Sequence, residues 1–268
     1  MSGYVLGIDL GGTKLAARLC LSNGTIVDES VRFTETDFVC QLSAMYEEYT
    51  GQWGPIRSIV LGVPGPVSDN IMGPSLPLKT VKPTRFEGCF PNADLLGVYN
   101  DLDVATYAEL HCGAGLEVDN FVLVSLSTGT GIGVGVVIGG SLLQIRTEMG
   151  HQVLMLSKES RNRCINHSGC WASICAGTAI PDNPTLEDLA VIKEVNRLGF
   201  ANLIAAYDPE IIIVMGGVGF NLFDTIVPAS HELEGLAIHR PLPRIELTAL
   251  GPNIGVQGAV LLAQGALG

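Results

Sequence analysis

Hydrophobic and polar positions break twice in the same order along this chain. Near the start, an apolar run from Val5 reaches Asp9 and Leu10, meets the polar turn Gly11, Gly12 and Thr13, and resumes from Leu15 to Leu21 before Asn23 and Gly24. Two apolar runs around a glycine turn, with a second turn close behind, predict a meander of antiparallel strands. The order recurs later. An apolar run from Phe121 to Leu126 meets Ser127, Thr128, Gly129, Thr130 and Gly131, resumes from Ile132 to Ile138, and turns at Gly139 and Gly140. An internal repeat on this scale predicts two related halves facing each other across a cleft, each offering one hairpin tip.

The remaining periodicity fills in an α/β chain. Phe38, Val39, Leu42, Met45, Tyr46 and Tyr49 have helical spacing with one buried face. Residues 59–63 read as a buried strand that ends at Pro64, Gly65 and Pro66. Residues 69–91, rich in Pro, Gly and Ser, have no clear period, and a loop of that length is usually functional or carries short strands. A short strand gives way to a helix at Asn100 and Asp101, and a longer helix is predicted over 186–206. A buried strand then ends at Met215, Gly216 and Gly217 and leads into another helix, and small residues over 255–267 predict a closing helix.

Several of these junctions carry chemistry. Glycines at a hairpin tip let backbone N–H groups approach a phosphate, and Thr13 adds a hydroxyl. A Walker-type loop would need a helix directly after the turn, whereas Lys14 opens a strand. Asn100 and Asp101 have two readings: both types cap helices, and a carboxylate there can accept a proton from a substrate hydroxyl. The pair Gly216 and Gly217 suits close approach of a flat adenine or ribose. His151, Cys164, His167 and Cys170 fall within one short stretch, enough donors for a tetrahedral zinc site, or a plain core cluster.

Composition narrows the classes. The chain has 268 residues, 47% of them hydrophobic and 16% charged, ample for a core of its own. Its formal net charge of −12, with no run of Lys or Arg, argues against nucleic acid and anionic lipid as partners. An anionic nucleotide would need fixed local donors and a divalent cation. No apolar run is long enough for a membrane span, and no leader-like segment opens the sequence, so a cytoplasmic location is expected. Seven scattered cysteines fit a reducing compartment.

Taken in order, these motifs resemble those of the ROK family of sugar kinases and related repressors, over essentially the whole chain. The stretch Asp9, Gly11, Gly12, Thr13 and Lys14 resembles the family's first phosphate motif, residues 127–131 its second, and Met215 to Val218 its adenosine motif. Asn100 and Asp101 match the pair in which the Asp is the base, and Glu148, Gly150 and His151 match a segment that contacts sugar hydroxyls and supplies a zinc-binding histidine. The resemblance implies an α/β, two-domain, actin-like ATPase (ribonuclease H-like) fold with its active site in the interdomain cleft. One domain would span 1–108 and be joined by the C-terminal helix 255–268; the larger would span 109–254 and hold the zinc loop. It implies ATP and Mg²⁺ as cofactors, with structural Zn²⁺, and a homodimer.

The implied reaction is phosphorylation of a hexose or 2-acetamidohexose, glucose or N-acetylmannosamine foremost, at the C6 hydroxyl. Asp101 would be the base, while Gly65, Ser75, Asn100, Glu148 and His151 would meet the sugar. Asp9, residues 11–14 and 128–131, Gly216 and Gly217 would meet the nucleotide. The alternative is a catalytically degenerate sugar-binding regulator or scaffold. Departures from the family pattern feed that alternative: one cysteine of the zinc loop is missing, Ala172 stands where a sugar-contacting Glu is usual, and Ser75 stands where an Asn is usual.

Overall fold

The computed structural model describes residues 3–129, 131–144, 148–155, 167–238 and 240–265. The chain divides into two units, Met1–Ala108 with Asn253–Gly268, and Glu109–Pro252.

In the first unit, β1 (Tyr4–Leu10), β2 (Lys14–Leu21) and β3 (Ile26–Phe33) form the expected meander. Asp37 caps α1 (Phe38–Trp53) by accepting the Cys40 N–H, and Gly54 closes it with φ of 93°. The buried face of α1 carries Phe38, Leu42, Met45, Tyr46 and Tyr49, the spacing that the sequence implied. β4 (Ile56–Val63) returns parallel to β1. The aperiodic segment then contains β5 (Val67–Ser68), β6 (Ile71–Met72) and β7 (Thr84–Arg85), a small antiparallel sheet. β8 (Leu95–Asn100) pairs parallel with β4 and runs directly into α2 (Asp101–Cys112). The sheet order is β3-β2-β1-β4-β8.

The second unit repeats the plan. β9 (Phe121–Leu126), β10 (Ile132–Ile138) and β11 (Ser141–Leu142) are antiparallel neighbours. After the short helix α3 (Trp171–Cys175), α4 (Leu186–Tyr207) starts on a capping box in which Thr185 and Asp188 bond each other's backbone N–H. β12 (Ile211–Met215) lies parallel to β9, α5 (Gly217–Ile226) follows it, and β13 (Arg244–Leu247) pairs parallel with β12. The order is β11-β10-β9-β12-β13, the first sheet's sequence of two antiparallel and two parallel pairings. A buried chain of bonds fixes the helices here: Trp171 Nε1 donates to Asn196 Oδ1 at 2.7 Å, and Asn196 Nδ2 donates to the Ile226 carbonyl at 2.9 Å.

α6 (Ile254–Gly265) returns to the first unit, where Ala259, Val260 and Ala263 pack on Val5, Val60 and Val104. α1 covers the opposite sheet face, where Leu6, Ile8, Leu10, Ile59, Leu61 and Val63 are buried. Strand alternation thus puts Asp9 on the α6 side. No helix among the described residues is long and apolar enough to cross a membrane.

Candidate active site

Three parallel strands of the first unit end side by side. Asp9 of β1 is level with Gly62 of β4, and Val63 is level with Asn100 of β8. The sheet thereby gathers Asp9, the Pro64–Pro66 turn and the pair Asn100 and Asp101 at one edge, the C-terminal edge where open α/β sheets bind ligands.

The first hairpin tip is braced from behind. Gly11 N–H donates to the Lys14 carbonyl at 2.8 Å, while the Thr34 hydroxyl and N–H donate to the carbonyls of Gly11 and Thr13 at 2.7 and 3.0 Å. Gly12 and Thr13 stay exposed, and Lys14 Nζ donates to Asn253 Oδ1 at 3.2 Å. Asp9 lies against the first turn of α6, so close that a Cβ on Gly255 would stand 2.5 Å from its Oδ2. Burial pushes the Asp9 carboxyl up to about 6, with the Lys14 ammonium pulling the other way. A carboxylate so placed gains from any cation brought to it.

Asn100 is the residue before α2, and its Oδ1 accepts the Leu102 N–H at 2.9 Å while its Nδ2 donates to the Gly65 carbonyl at 3.0 Å. Capping and tying down the turn both fall to Asn100. Asp101 is the first residue of the helix, and its Oδ1 also accepts the Leu102 N–H, at 3.0 Å. Its carboxyl is pushed up to about 7, first by burial and then by the nearby charge of Asp9, with Asp103 adding to the effect. A carboxyl near neutrality is suited to taking a proton at working pH. Asp103, also partly buried, is pushed by burial up to about 6.

Ser75, expected from the sequence to meet the sugar, lies inside its loop. It is only 1% exposed, its hydroxyl donates to the Pro64 carbonyl, and it accepts the Leu78 N–H at 3.4 Å, so the hydroxyl is spent inside the loop. Ala172 is 2% exposed, in the core cluster with Trp171.

In the second unit three segments meet at Thr128. The Ser127 hydroxyl donates to the Gly131 carbonyl at 2.8 Å, and the carbonyls of Ser127 and Gly129 accept the N–H groups of Gly177 and Thr178 at 3.0 and 3.2 Å. Gly216 turns with φ of 89°, and a Cβ on Gly217 would lie 2.5 Å from Thr128 Cγ2. Only glycine fits there. Among the described residues no side chain caps α5, and free N–H groups at a helix start suit an anion or a ribose. Gly177 belongs to this junction and was not singled out from sequence; flanked by Ala176 and Thr178, it carries no periodic signal. Thr130 lies outside the described residues.

Glu148 and His151 flank a single turn, Met149–His151. Glu148 Oε2 is 3.9 Å from His151 Nε2, and His151 Nδ1 is 3.9 Å from Cys170 Sγ. The His151 and His167 rings stand edge to face, 5.6 Å apart, and the donor atoms of His151, His167 and Cys170 all lie within 4.8 Å of one another. A short ladder sets this spacing: Leu154 and Met155 N–H donate to the Gly169 carbonyl at 2.9 and 3.1 Å, and Trp171 N–H donates to the Gln152 carbonyl at 3.0 Å. Zinc bonds of about 2.0–2.3 Å in a tetrahedron put neighbouring donors roughly 3.5 Å apart, so these three side chains fit. Cys164, the fourth expected ligand, lies outside the described residues.

The sequence pattern of the ROK family matches residues 5–185. The chain belongs to the ROK family. Among ROK relatives, it is 29% identical to a fructokinase of Pediococcus pentosaceus over 97% of each chain. It is 30% identical to an N-acetylmannosamine kinase of Haemophilus influenzae (strain PittEE) over 80% of each. Its fold is that of a ROK family glucokinase from Streptomyces griseus, solved with glucose and AMPPNP. That match has a TM-score of 0.74 and 22% identity, over 98% of this chain and 100% of that one. The fold is therefore the actin-like ATPase fold of the ROK sugar kinases.

Proposed function

We propose that this ROK protein is an ATP-dependent sugar kinase that phosphorylates a hexose or 2-acetamidohexose at its C6 hydroxyl. The observation that carries the reading is Asp101, a carboxyl raised to about 7 at a helix start, beside a strand-end turn held by Asn100. Names of relatives put fructose and N-acetylmannosamine first among the sugars.

In this reading Asp101 takes the proton of the sugar hydroxyl as the hydroxyl oxygen bonds to the γ-phosphorus. The bond from that phosphorus to the β–γ bridging oxygen breaks, and ADP leaves with the electron pair. In the first unit exposed Gly12 and Thr13 offer N–H and hydroxyl donors to a phosphate, and in the second unit, taken by itself, exposed Thr128 and Gly129 offer the same kinds of donor. Such transfer depends on positioning and charge neutralisation more than on covalent chemistry. Mg²⁺ on the nucleotide would supply neutralisation, with Asp9 the carboxylate fitted to hold it through water. In the first unit Gly65 and Asn100 are the groups suited to meet a sugar; in the second unit Glu148 and His151 are, and Gly216 and Gly217 suit a nucleoside.

His151, His167 and Cys170, with Cys164, would hold a structural zinc that fixes the His151 ring. Elemental analysis of protein purified without chelator should find about one zinc per chain, and His167→Ala should lower it with the melting temperature. Less than about half an equivalent in the unaltered protein would reject the site.

The test of function is ADP release from Mg-ATP with fructose, N-acetylmannosamine, glucose, mannose and N-acetylglucosamine, and Asp101→Asn as control. The expected result is release that depends on one or two of these sugars and is lost in the variant. Sugar-independent release, or full activity in the variant, would overturn the reading.

A further inference from the structure

The loop after the small sheet makes a contact that the reaction drawn above does not use. A Cβ on Gly12, at the tip of the first hairpin, would come within 2.8 Å of the Pro77 carbonyl oxygen and 2.9 Å of the Pro77 Cβ. Hairpin and loop therefore touch directly, through the one residue type that allows it. Pro77 projects from a closed turn. Ser75 and Thr80 exchange both backbone hydrogen bonds, at 3.0 and 2.9 Å, and Lys79 N–H donates to the Leu76 carbonyl at 3.0 Å. Leu78 anchors the underside at 8% exposure. Proline at the contact has its φ fixed by its ring, so little freedom remains to be lost there.

The base of the turn is tied to the opposite end of the site. The Ser75 hydroxyl donates to the Pro64 carbonyl at the end of β4. The next residue, Gly65, accepts from Asn100 Nδ2 at 3.0 Å, and Asn100 Oδ1 holds the Leu102 N–H beside Asp101. Direct contacts thus run from Gly12 through Pro77, Ser75, the Pro64–Gly65 turn and Asn100 to Asp101, all within the first unit.

We propose that the 75–80 turn is a strut that fixes the distance between the phosphate hairpin and the general base, with Pro77 as its positioning residue and Ser75 as its anchor. This rests on the sugar-kinase reading, because the strut's two ends then carry the donor phosphate and the acceptor hydroxyl. Their approach decides the rate: reacting atoms must come to about 3–3.5 Å, and a misplacement of about 1 Å can cost roughly a hundredfold. A strut therefore acts on turnover more than on the binding of either substrate. A loop that only touched the sugar would change the KM for sugar alone, and a loop that only covered the core would change stability alone.

The experiment uses the full chain with Pro77→Gly, Pro77→Ala and Ser75→Ala, assayed with Mg-ATP and either fructose or N-acetylmannosamine. Pro77→Gly frees the backbone and removes the Cβ that meets Gly12, and Ser75→Ala cuts the anchor. Each should lower kcat per folded molecule about tenfold to a hundredfold, with both KM values within about threefold of the unaltered protein. Pro77→Ala keeps the Cβ and carbonyl at the contact and should recover most of the loss. Unchanged kcat with only a lower melting temperature, or a rise confined to the sugar KM, would overturn the proposal.

A second arm needs no turnover. Hydrogen exchange with Mg-AMPPNP alone should slow at the amides of Ser75, Lys79 and Thr80 in the unaltered protein but not in Pro77→Gly. Bound nucleotide with no change at those amides would also overturn it. Protein that protects the loop yet phosphorylates no sugar would reject the kinase reading, and with it the strut's effect on turnover, while the coupling of hairpin to loop would stand.

Discussion

Replacing Asp101 by Asn should make the protein more stable and far less active, and the two effects share one cause. Burial, the Asp9 charge and the Asp103 charge raise the Asp101 carboxyl from the ordinary 3.8 to about 7. The folded state thus holds this proton more tightly than the unfolded chain does. The stability contributed by the protonated carboxyl is fully present below 3.8 and is lost as the pH rises through about 7. About three pH units at about 1.36 kcal/mol each gives about 4 kcal/mol as a ceiling. Asp101 keeps some contact with water, which screens the charge, so about half of that, ~2 kcal/mol, is the working value. Asn retains the shape and the oxygen that accepts the Leu102 N–H, so little else changes.

Thermal melts of both proteins without ligand, at constant ionic strength from pH 4 to 8, measure this directly. At pH 8 the Asn variant should melt about 4–8 °C higher, and the gap should close as the pH falls towards 4. In the sugar assay the variant should lose about 10²–10⁴-fold in kcat while still binding nucleotide. The unaltered enzyme's kcat/KM should fall on the acid side of about 7, where Asp101 is protonated. A variant that melts at or below the parent at pH 8 would refute the account of Asp101 as an electrostatically burdened base.

Three further substitutions separate the parts of the site. Gly217→Ala drives a Cβ into Thr128 Cγ2 at 2.5 Å, and should weaken AMPPNP binding about tenfold by calorimetry. Asn253→Ala removes the acceptor that holds Lys14 Nζ, and should raise the KM for ATP about fivefold with the sugar KM unchanged. Thr248→Val takes the hydroxyl donor from fully buried Glu109, which also accepts the Ala114 N–H at 2.9 Å. It should cost about 1–3 kcal/mol in urea denaturation, with kcat per folded molecule unaltered.

The features legible in the sequence are those written in local periodicity. The two hairpins, the helix from Phe38 and the strand-to-helix step at Asn100 all carry runs long enough to show their period. The strands Val67–Ser68, Ile71–Met72 and Thr84–Arg85 do not, since two residues contain no repeat to read. Site residues followed the same division. Asp9 and Asp101 stand at the ends of strong apolar runs, whereas Asn253 and Gly177 act through one long-range bond and one close approach. The inward fold of the loop that buries Ser75 was not legible, because a hydroxyl's exposure is set by tertiary closure that no local pattern encodes.

The repeat also explains why the chemistry divides as it does. Asp9 and Ser125 hold equivalent places, each one residue before the last pair of its hairpin, Leu10 with Leu15 and Leu126 with Ile132. Each is also level with a residue of the parallel strand beside it, Gly62 and Met215 respectively. On this shared backbone the first unit carries carboxyls at its strand ends, Asp9 and Asp101, both pushed up by burial. The second carries hydroxyls and glycines, Ser127, Thr128, Gly216 and Gly217, with a helix start that no described side chain caps. Carboxyls near neutrality accept protons and meet cations, while hydroxyls, glycine amides and a helix N-terminus donate to anions. One backbone template therefore carries carboxyls at the strand ends of one half and hydroxyls with glycines at the equivalent ends of the other, and the difference lies in a few side chains.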